Sequence, residues 1–157
     1  MFDQISTFFT TEMIYLWLSF GVIPFWFILI FFPQSKICGL LATSIFPFII
    51  LGSVYIYLIY YFFNSNYDFI SNFELYLGIY NLSSLFESEA FLILIWTHFL
   101  AINLFCGAWI AHNSQKYLMS KYLIFLPLIF TYFIGPVGII TYWFIRIFFA
   151  KKLSLFD

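Results

Sequence analysis

Met13-Ile14-Tyr15-Leu16-Trp17-Leu18-Ser19-Phe20-Gly21-Val22-Ile23-Pro24-Phe25-Trp26-Phe27-Ile28-Leu29-Ile30-Phe31-Phe32 carries no charged side chain. As an α-helix those residues reach about 30 Å, one hydrocarbon thickness of a bilayer. The rest of the chain agrees with that reading. Of 157 residues 64% are apolar, 27% aromatic and 8% charged, and the mean hydropathy is +1.01. A soluble domain carries about 25% charged residues, so this chain lacks the polar groups to cover a globular surface in water. Its solvent is lipid.

Working outward, Pro24 removes a backbone donor in mid-span and is expected to kink the first helix. Pro33-Gln34-Ser35-Lys36 is a four-residue break, so a second span over residues 37–63 returns antiparallel, with a second kink at Pro47. Tyr55, Tyr57, Tyr60 and Tyr61 crowd its end, as in an aromatic belt at the headgroup level. Residues 64–84 hold Asp68 and Glu74 and no basic group. Ser71-Asn72-Phe73-Glu74 has the pattern of a capping box, which predicts a short interfacial helix over residues 72–82 with Phe73, Tyr76, Leu77 and Tyr80 on one face. Ser84-Leu85-Phe86-Glu87 repeats the pattern and is read as opening a third span over residues 85–110. His112, Lys116 and Lys121 fall in the loop that follows. The fourth span, residues 122–149, is read as one long helix, broken or bent at Gly135-Pro136, with Arg146 snorkelling to the interface. The expected fold is an all-α integral membrane protein: four transmembrane helices in an antiparallel bundle, forming a single membrane domain over residues 1–157.

Met1 to Glu12 has neither the basic leader of a signal peptide nor the Arg-rich, acid-poor pattern of a transit peptide. The expectation is a chain made in the compartment whose membrane it enters, or one already trimmed. Four spans put Lys36, Lys116 and Lys121 on one side and Lys151-Lys152, with Arg146, on the other. That count does not decide the orientation; weighting the first helix puts the acidic loop outside. There is no basic stripe to neutralise phosphates, so no nucleic-acid partner is expected. Cys38 and Cys106 lie within apolar spans and are read as inert buried thiols. No His, Asp or Cys stands at ligand spacing for a metal, and no catalytic triad, phosphate loop or dinucleotide fingerprint is present. There are no internal repeats of the kind transporters carry.

The polar residues that survive in the apolar runs mark the candidate site. They concentrate in Trp96-Thr97-His98-Phe99-Leu100-Ala101-Ile102-Asn103-Leu104-Phe105-Cys106-Gly107-Ala108-Trp109. His98, Phe105 and Trp109 share one helix face, while Trp96 and Asn103 share another about 140° away. Gly107 and Ala111 form a small-xxx-small pair that admits a neighbouring backbone. Thr131, Gly135 and Gly138 make a matching stripe on the fourth span, and Pro136 frees the carbonyl of Tyr132, which then needs a donor inside the bundle. Three readings stand side by side. His98 and Asn103 are interhelical hydrogen-bond glue; or they line a polar spot in an aromatic pocket where His98 serves as acid and base; or His98 ligates a pigment metal. Glu87 and Glu89 suit a helix N-terminus, and Glu87 is a candidate carboxylate at the pocket mouth.

Several motifs together resemble one family. They are Val22-Ile23-Pro24-Phe25-Trp26, Phe32-Pro33, Leu82-Ser83-Ser84-Leu85-Phe86-Glu87-Ser88-Glu89, Trp96-Thr97-His98 with Ala101, Leu104-Phe105 and Gly107, and Gly135-Pro136-Val137-Gly138. The chain resembles the small four-span membrane proteins related to the plant neoxanthin-synthase factor named for abscisic-acid deficiency. It departs from them at Asn103 and Asn113, where aspartates are common, and at Ala108, where bacterial relatives often have arginine. The resemblance implies isomerisation of an epoxy-carotenoid to an allene, without a redox cofactor. His98 would transfer the proton and Asn103 would orient the ring oxygen, with Trp96, Phe105, Trp109 and Thr131 against the pigment. It equally admits a non-catalytic subunit that holds carotenoid or chlorophyll within a larger photosynthetic membrane complex. The membrane it implies is that of a thylakoid or plastid, or a bacterial inner membrane.

Overall fold

The structure, a computed structural model, describes residues 10–150. Among the described residues every regular element is helical. In order they are α1 (Thr11–Gly21), α2 (Ile23–Phe31), a π-helical turn (Cys38–Ala42), α3 (Phe46–Asn64), a 3-10 turn (Ser71–Tyr76), α4 (Ile79–Leu85), α5 (Glu89–Lys116), α6 (Lys121–Phe133) and α7 (Gly135–Ala150). Among the described residues three stretches are long and apolar enough to cross a membrane: Thr11–Phe31, Cys38–Asn64 and Glu89–Lys116.

The first two expected spans appear with their proline breaks. Pro24 sits in the first turn of α2, and the helix is interrupted at Val22 because proline offers no amide to the turn before it. In the second span the π-helical turn ends at Ala42 and regular helix resumes at Phe46, one residue before Pro47. Proline is tolerated there because the first turn has no bond to lose.

Both capping boxes are corrected. Ser71 does not cap a helix; its hydroxyl donates to the Asp68 carbonyl at 2.7 Å, and Asp68 accepts from the Ile70 amide at 2.9 Å. The segment forms a 3-10 turn and then, after Gly78 at φ +150°, the short α4. Only glycine enters that region of φ without strain. Ser84 likewise turns back to the Asn81 carbonyl at 2.8 Å. The third span therefore begins at Glu89 and runs through His112 to Lys116, beyond the expected loop. A local serine-to-backbone bond competes with capping, and here it wins.

The fourth span is corrected as well. The helix is broken where Gly135-Pro136 is expected to break or bend it, but α6 and α7, separated by Ile134, do not continue as one long span over residues 122–149: they pack against each other as a hairpin. Thr131 and Gly138 touch so closely that a methyl group on Gly138 would collide with the Thr131 hydroxyl and backbone.

The chain divides into two compact units. One holds the residues up to Gly21 together with Phe48–Leu100: α1, most of α3, the 3-10 turn, α4 and the beginning of α5. The other holds Val22–Pro47 with the residues from Ala101 onward: α2, the π-helical turn, the remainder of α5, and the α6–α7 hairpin.

Candidate functional site

Within the first unit, Thr11, Tyr15 and Ser19 recur every fourth residue on α1, and Glu89, Ile93 and Trp96 recur at helical spacing on α5. Such residues share one face of a helix. The two faces meet. The Thr11 hydroxyl donates to Glu89 Oε2 at 3.3 Å, Trp96 Nε1 donates to Ser19 Oγ at 3.0 Å, and the Tyr15 and Trp96 rings lie 5.5 Å apart at 42°. Phe99 also stacks on Trp96, at 5.5 Å and 24°.

Between these side chains is a cavity of about 440 Å³, lined by Thr11, Glu12, Tyr15, Glu89, Leu92, Ile93 and Trp96. Small-molecule sites are commonly about 300–1,000 Å³, mostly apolar, with a few placed polar groups. The walls here are two aromatic rings and two aliphatic side chains. The polar end is made by Glu12, Glu89 and the Thr11 hydroxyl, with no cation among the described lining residues. Glu12 and Glu89 stand in the first turns of α1 and α5, where a helix dipole favours a carboxylate.

Within the second unit, α5, α6 and α7 converge on Asn103. Its side chain is buried, and Nδ2 donates to the Tyr132 carbonyl at 3.5 Å. That carbonyl lies at the end of α6, two residues before the break at Ile134, where the next turn cannot reach it. The Asn103 amide oxygen packs so tightly on Gly135 that a Cβ there would overlap it. Trp26 completes the crossing, edge-on to Tyr132 at 5.3 Å and against Gly107, where an added methyl would lie 2.7 Å from the indole.

A second polar group is buried further along. Arg146 has no exposed surface; its Nε donates to Asn113 Oδ1 at 2.9 Å and its Nη2 to the Tyr117 hydroxyl at 3.0 Å, with the guanidinium 5.1 Å from the Tyr117 ring. Tyr142 donates to the same Asn113 oxygen at 2.8 Å and meets Trp109 edge-on at 5.5 Å. Snorkelling of Arg146 is therefore corrected: the side chain turns inward because α7 faces α5.

The expected site residues are thus dispersed. Trp96 lines the cavity. His98 is exposed on α5, is not among the lining residues, and has no hydrogen-bond partner among the described residues. Glu87 is exposed in the turn before α5, and it is Glu89 that reaches the cavity. Phe105 is exposed, Trp109 packs on Tyr142, and Thr131 is buried within the hairpin, donating to the Pro127 carbonyl at 2.8 Å. Gly107, Ala111, Gly135 and Gly138 are buried as packing residues, while Pro136 is exposed in the first turn of α7. Cys38 and Cys106 are free thiols, and no cluster of metal-ligating side chains occurs among the described residues. Sequence reasoning missed Thr11, Glu12, Tyr15 and Ser19, although the four-residue repeat of the polar groups on α1 was a usable signal.

A family model described as ABA DEFICIENT 4-like matches residues 13–142. Among curated proteins, Protein ABA DEFICIENT 4, chloroplastic, of Arabidopsis thaliana is 28% identical over 132 residues, which cover 78% of this chain and 55% of that protein. The chain spans about half the length of the curated relative it matches. No solved structure matches.

Proposed function

The chain belongs to the ABA DEFICIENT 4-like family, and from that membership we propose that it is a plastid-membrane protein whose cavity on α1 and α5 takes the oxygenated end ring of an epoxy-carotenoid. The carrying observation is the cavity itself, with aromatic and aliphatic walls and two carboxylates at one end. Its volume suits a substituted cyclohexane ring, and Tyr15 and Trp96 offer flat surfaces to the adjoining polyene. The plastid location is taken from the chloroplastic relative. The 3-10 turn and α4 lie on the membrane surface, which accounts for Phe73, Tyr76, Leu77 and Tyr80 being between 70% and 88% exposed.

The reaction proposed is isomerisation of an epoxide to an allene. One carboxyl gives a proton to the epoxide oxygen, and the C–O bond on the polyene side breaks, leaving a hydroxyl on the other carbon. The second carboxylate takes the hydrogen from the adjoining polyene carbon, whose C–H electrons form the new double bond. One proton enters and one leaves, so no redox partner is consumed. Glu89, which accepts from Thr11, is assigned as the base, and Glu12 as the acid. Asn103 is assigned a structural part, because its donor is committed to the Tyr132 carbonyl.

The test is to purify the protein in mild detergent, add an epoxy-carotenoid and follow the products by chromatography. Conversion by the native protein, lost in Glu89→Gln and Glu12→Gln, is the expected result. Pigment that stays bound and unconverted, with a larger pigment complex co-purifying, overturns the catalytic assignment in favour of a binding subunit.

A further inference from the structure

The second unit supplies a set of side-chain pairs that fixes the course of its helices. Along α5 the partners run Asn103 with Gly135, Trp109 with Tyr142, Asn113 with Arg146, so α7 climbs in the same direction as α5. Along α2 the partners run Trp26 with Tyr132, Phe31 with Phe125, and Gln34 with the Met119 carbonyl at 2.7 Å, so α6 descends against it. The Pro33 carbonyl accepts from Gln115 at 2.6 Å, which joins the ends of α2 and α5. The hairpin tip at Ile134 therefore lies level with Asn103, the fifteenth of the 28 residues of α5. From that point α7 returns to the level of Lys116, where α6 started.

Within the described residues α6 and α7 run for 13 and 16 residues, about 20 and 24 Å, and α6 in particular is well short of a hydrocarbon thickness of about 30 Å. We infer that the chain crosses the bilayer three times and that α6–α7 is a re-entrant hairpin, entering and leaving on one side with its tip held at mid-depth by Asn103. Irregular backbone at that depth survives only where protein satisfies it, which is the service Asn103 performs for Tyr132. The inference rests on the membrane reading above and not on the carotenoid chemistry.

Charge agrees with this path. Lys36, Lys116 and Lys121 lie at the end of the unit to which α7 returns, and the sequence continues past Ala150 with Lys151-Lys152. With Arg146 these are all six of the basic residues in the chain. Glu89 stands in the first turn of α5 with Glu87 two residues before it, and Glu12, Asp68 and Glu74 also precede α5 in the sequence. Four crossings would separate Arg146 from Lys36, Lys116 and Lys121; three leave these four described cations on one side. The positive-inside rule then orients the protein, with the lysine-bearing end on the side from which the chain is inserted.

The experiment uses the full chain in sealed membranes of known orientation. Ser35→Cys, Ser71→Cys and Ser154→Cys are labelled one at a time with an impermeant maleimide, against the native chain as background, and alkaline carbonate extraction establishes membrane integration. In parallel, an epitope fused after Asp157 of the otherwise native chain is exposed to protease from one side. Labelling of Ser154→Cys from the same side as Ser35→Cys, with Ser71→Cys reached only from the opposite side, is expected, with the epitope cleaved from the Ser35 side. Grouping of Ser154→Cys with Ser71→Cys, or protection of the epitope on the Ser35 side, means four crossings and overturns the hairpin. Release of the chain by carbonate overturns the membrane reading itself.

Discussion

Asn103 Nδ2 lies 3.5 Å from the Tyr132 carbonyl, joining the middle of α5 to the last turn of α6. The bond satisfies a backbone group at a helix break inside an apolar unit, and the other face of the same amide rests on Gly135. Replacing Asn103 with Leu removes the donor and strands the carbonyl, at a cost of about 1–3 kcal/mol. Thermal unfolding in detergent should show a lower midpoint, while Asn103→Gln should recover less than half of the loss because the longer side chain meets Gly135. A Leu variant as stable as the native chain would remove the clamp from the account.

Gly138 and Gly52 make a paired test of the hairpin. A methyl group at Gly138 collides with Thr131, whereas one at Gly52 meets nothing within 4 Å. Gly138→Ala should destabilise by more than ~1 kcal/mol, as overpacking does. Gly52→Ala should be neutral or stabilising by up to ~1 kcal/mol, through helix propensity. Comparing their melting midpoints in one detergent reads both effects.

Gly107 lies against the six-membered part of the Trp26 indole. Gly107→Ala should destabilise by about 1–3 kcal/mol, and Trp26→Phe, which withdraws those ring atoms, should relieve part of that penalty in the double variant. A double-mutant cycle with no coupling would mean that the contact is not formed.

Glu89 reaches the cavity and Glu87 does not. Glu89→Gln should abolish carotenoid conversion or weaken binding at least tenfold, with Glu87→Gln and His98→Ala close to native. Binding is followed by quenching of Trp96 fluorescence, since that indole lines the wall. A loss in His98→Ala with Glu89→Gln unaffected would return proton transfer to the histidine.

α5 ends in a turn that places Leu118 at φ +50°, with the Met119 amide bonded to the Ser114 carbonyl at 3.0 Å. Glycine is the usual occupant of that left-handed position. Leu118 is 92% exposed and gives up almost no packing, so Leu118→Gly should stabilise by about 1 kcal/mol, read from the same unfolding curves.

Much of this was legible in the residues alone. Uncharged runs of twenty or more, broken by Pro24 and Pro47, specify apolar helices and their interruptions, because composition and proline act locally. The need of the Tyr132 carbonyl for a donor was also readable, since Pro136 and Gly135 mark the break. The capping serines misled, because a serine hydroxyl chooses between an amide ahead and a carbonyl behind, and the same pattern permits both.

By itself, then, the sequence determined the solvent, the helical class and the positions of the breaks, all set within a few residues of one another. Tertiary structure alone decided that Ile134 is a reversal and not a bend, that Arg146 is buried against Asn113, and that Glu89 faces a cavity while His98 faces outward. Each of those outcomes depends on which helix lies alongside. A side chain of α7 meets α5 only after the chain has turned back, and no local pattern in residues 122–149 distinguishes a kinked helix from a folded one.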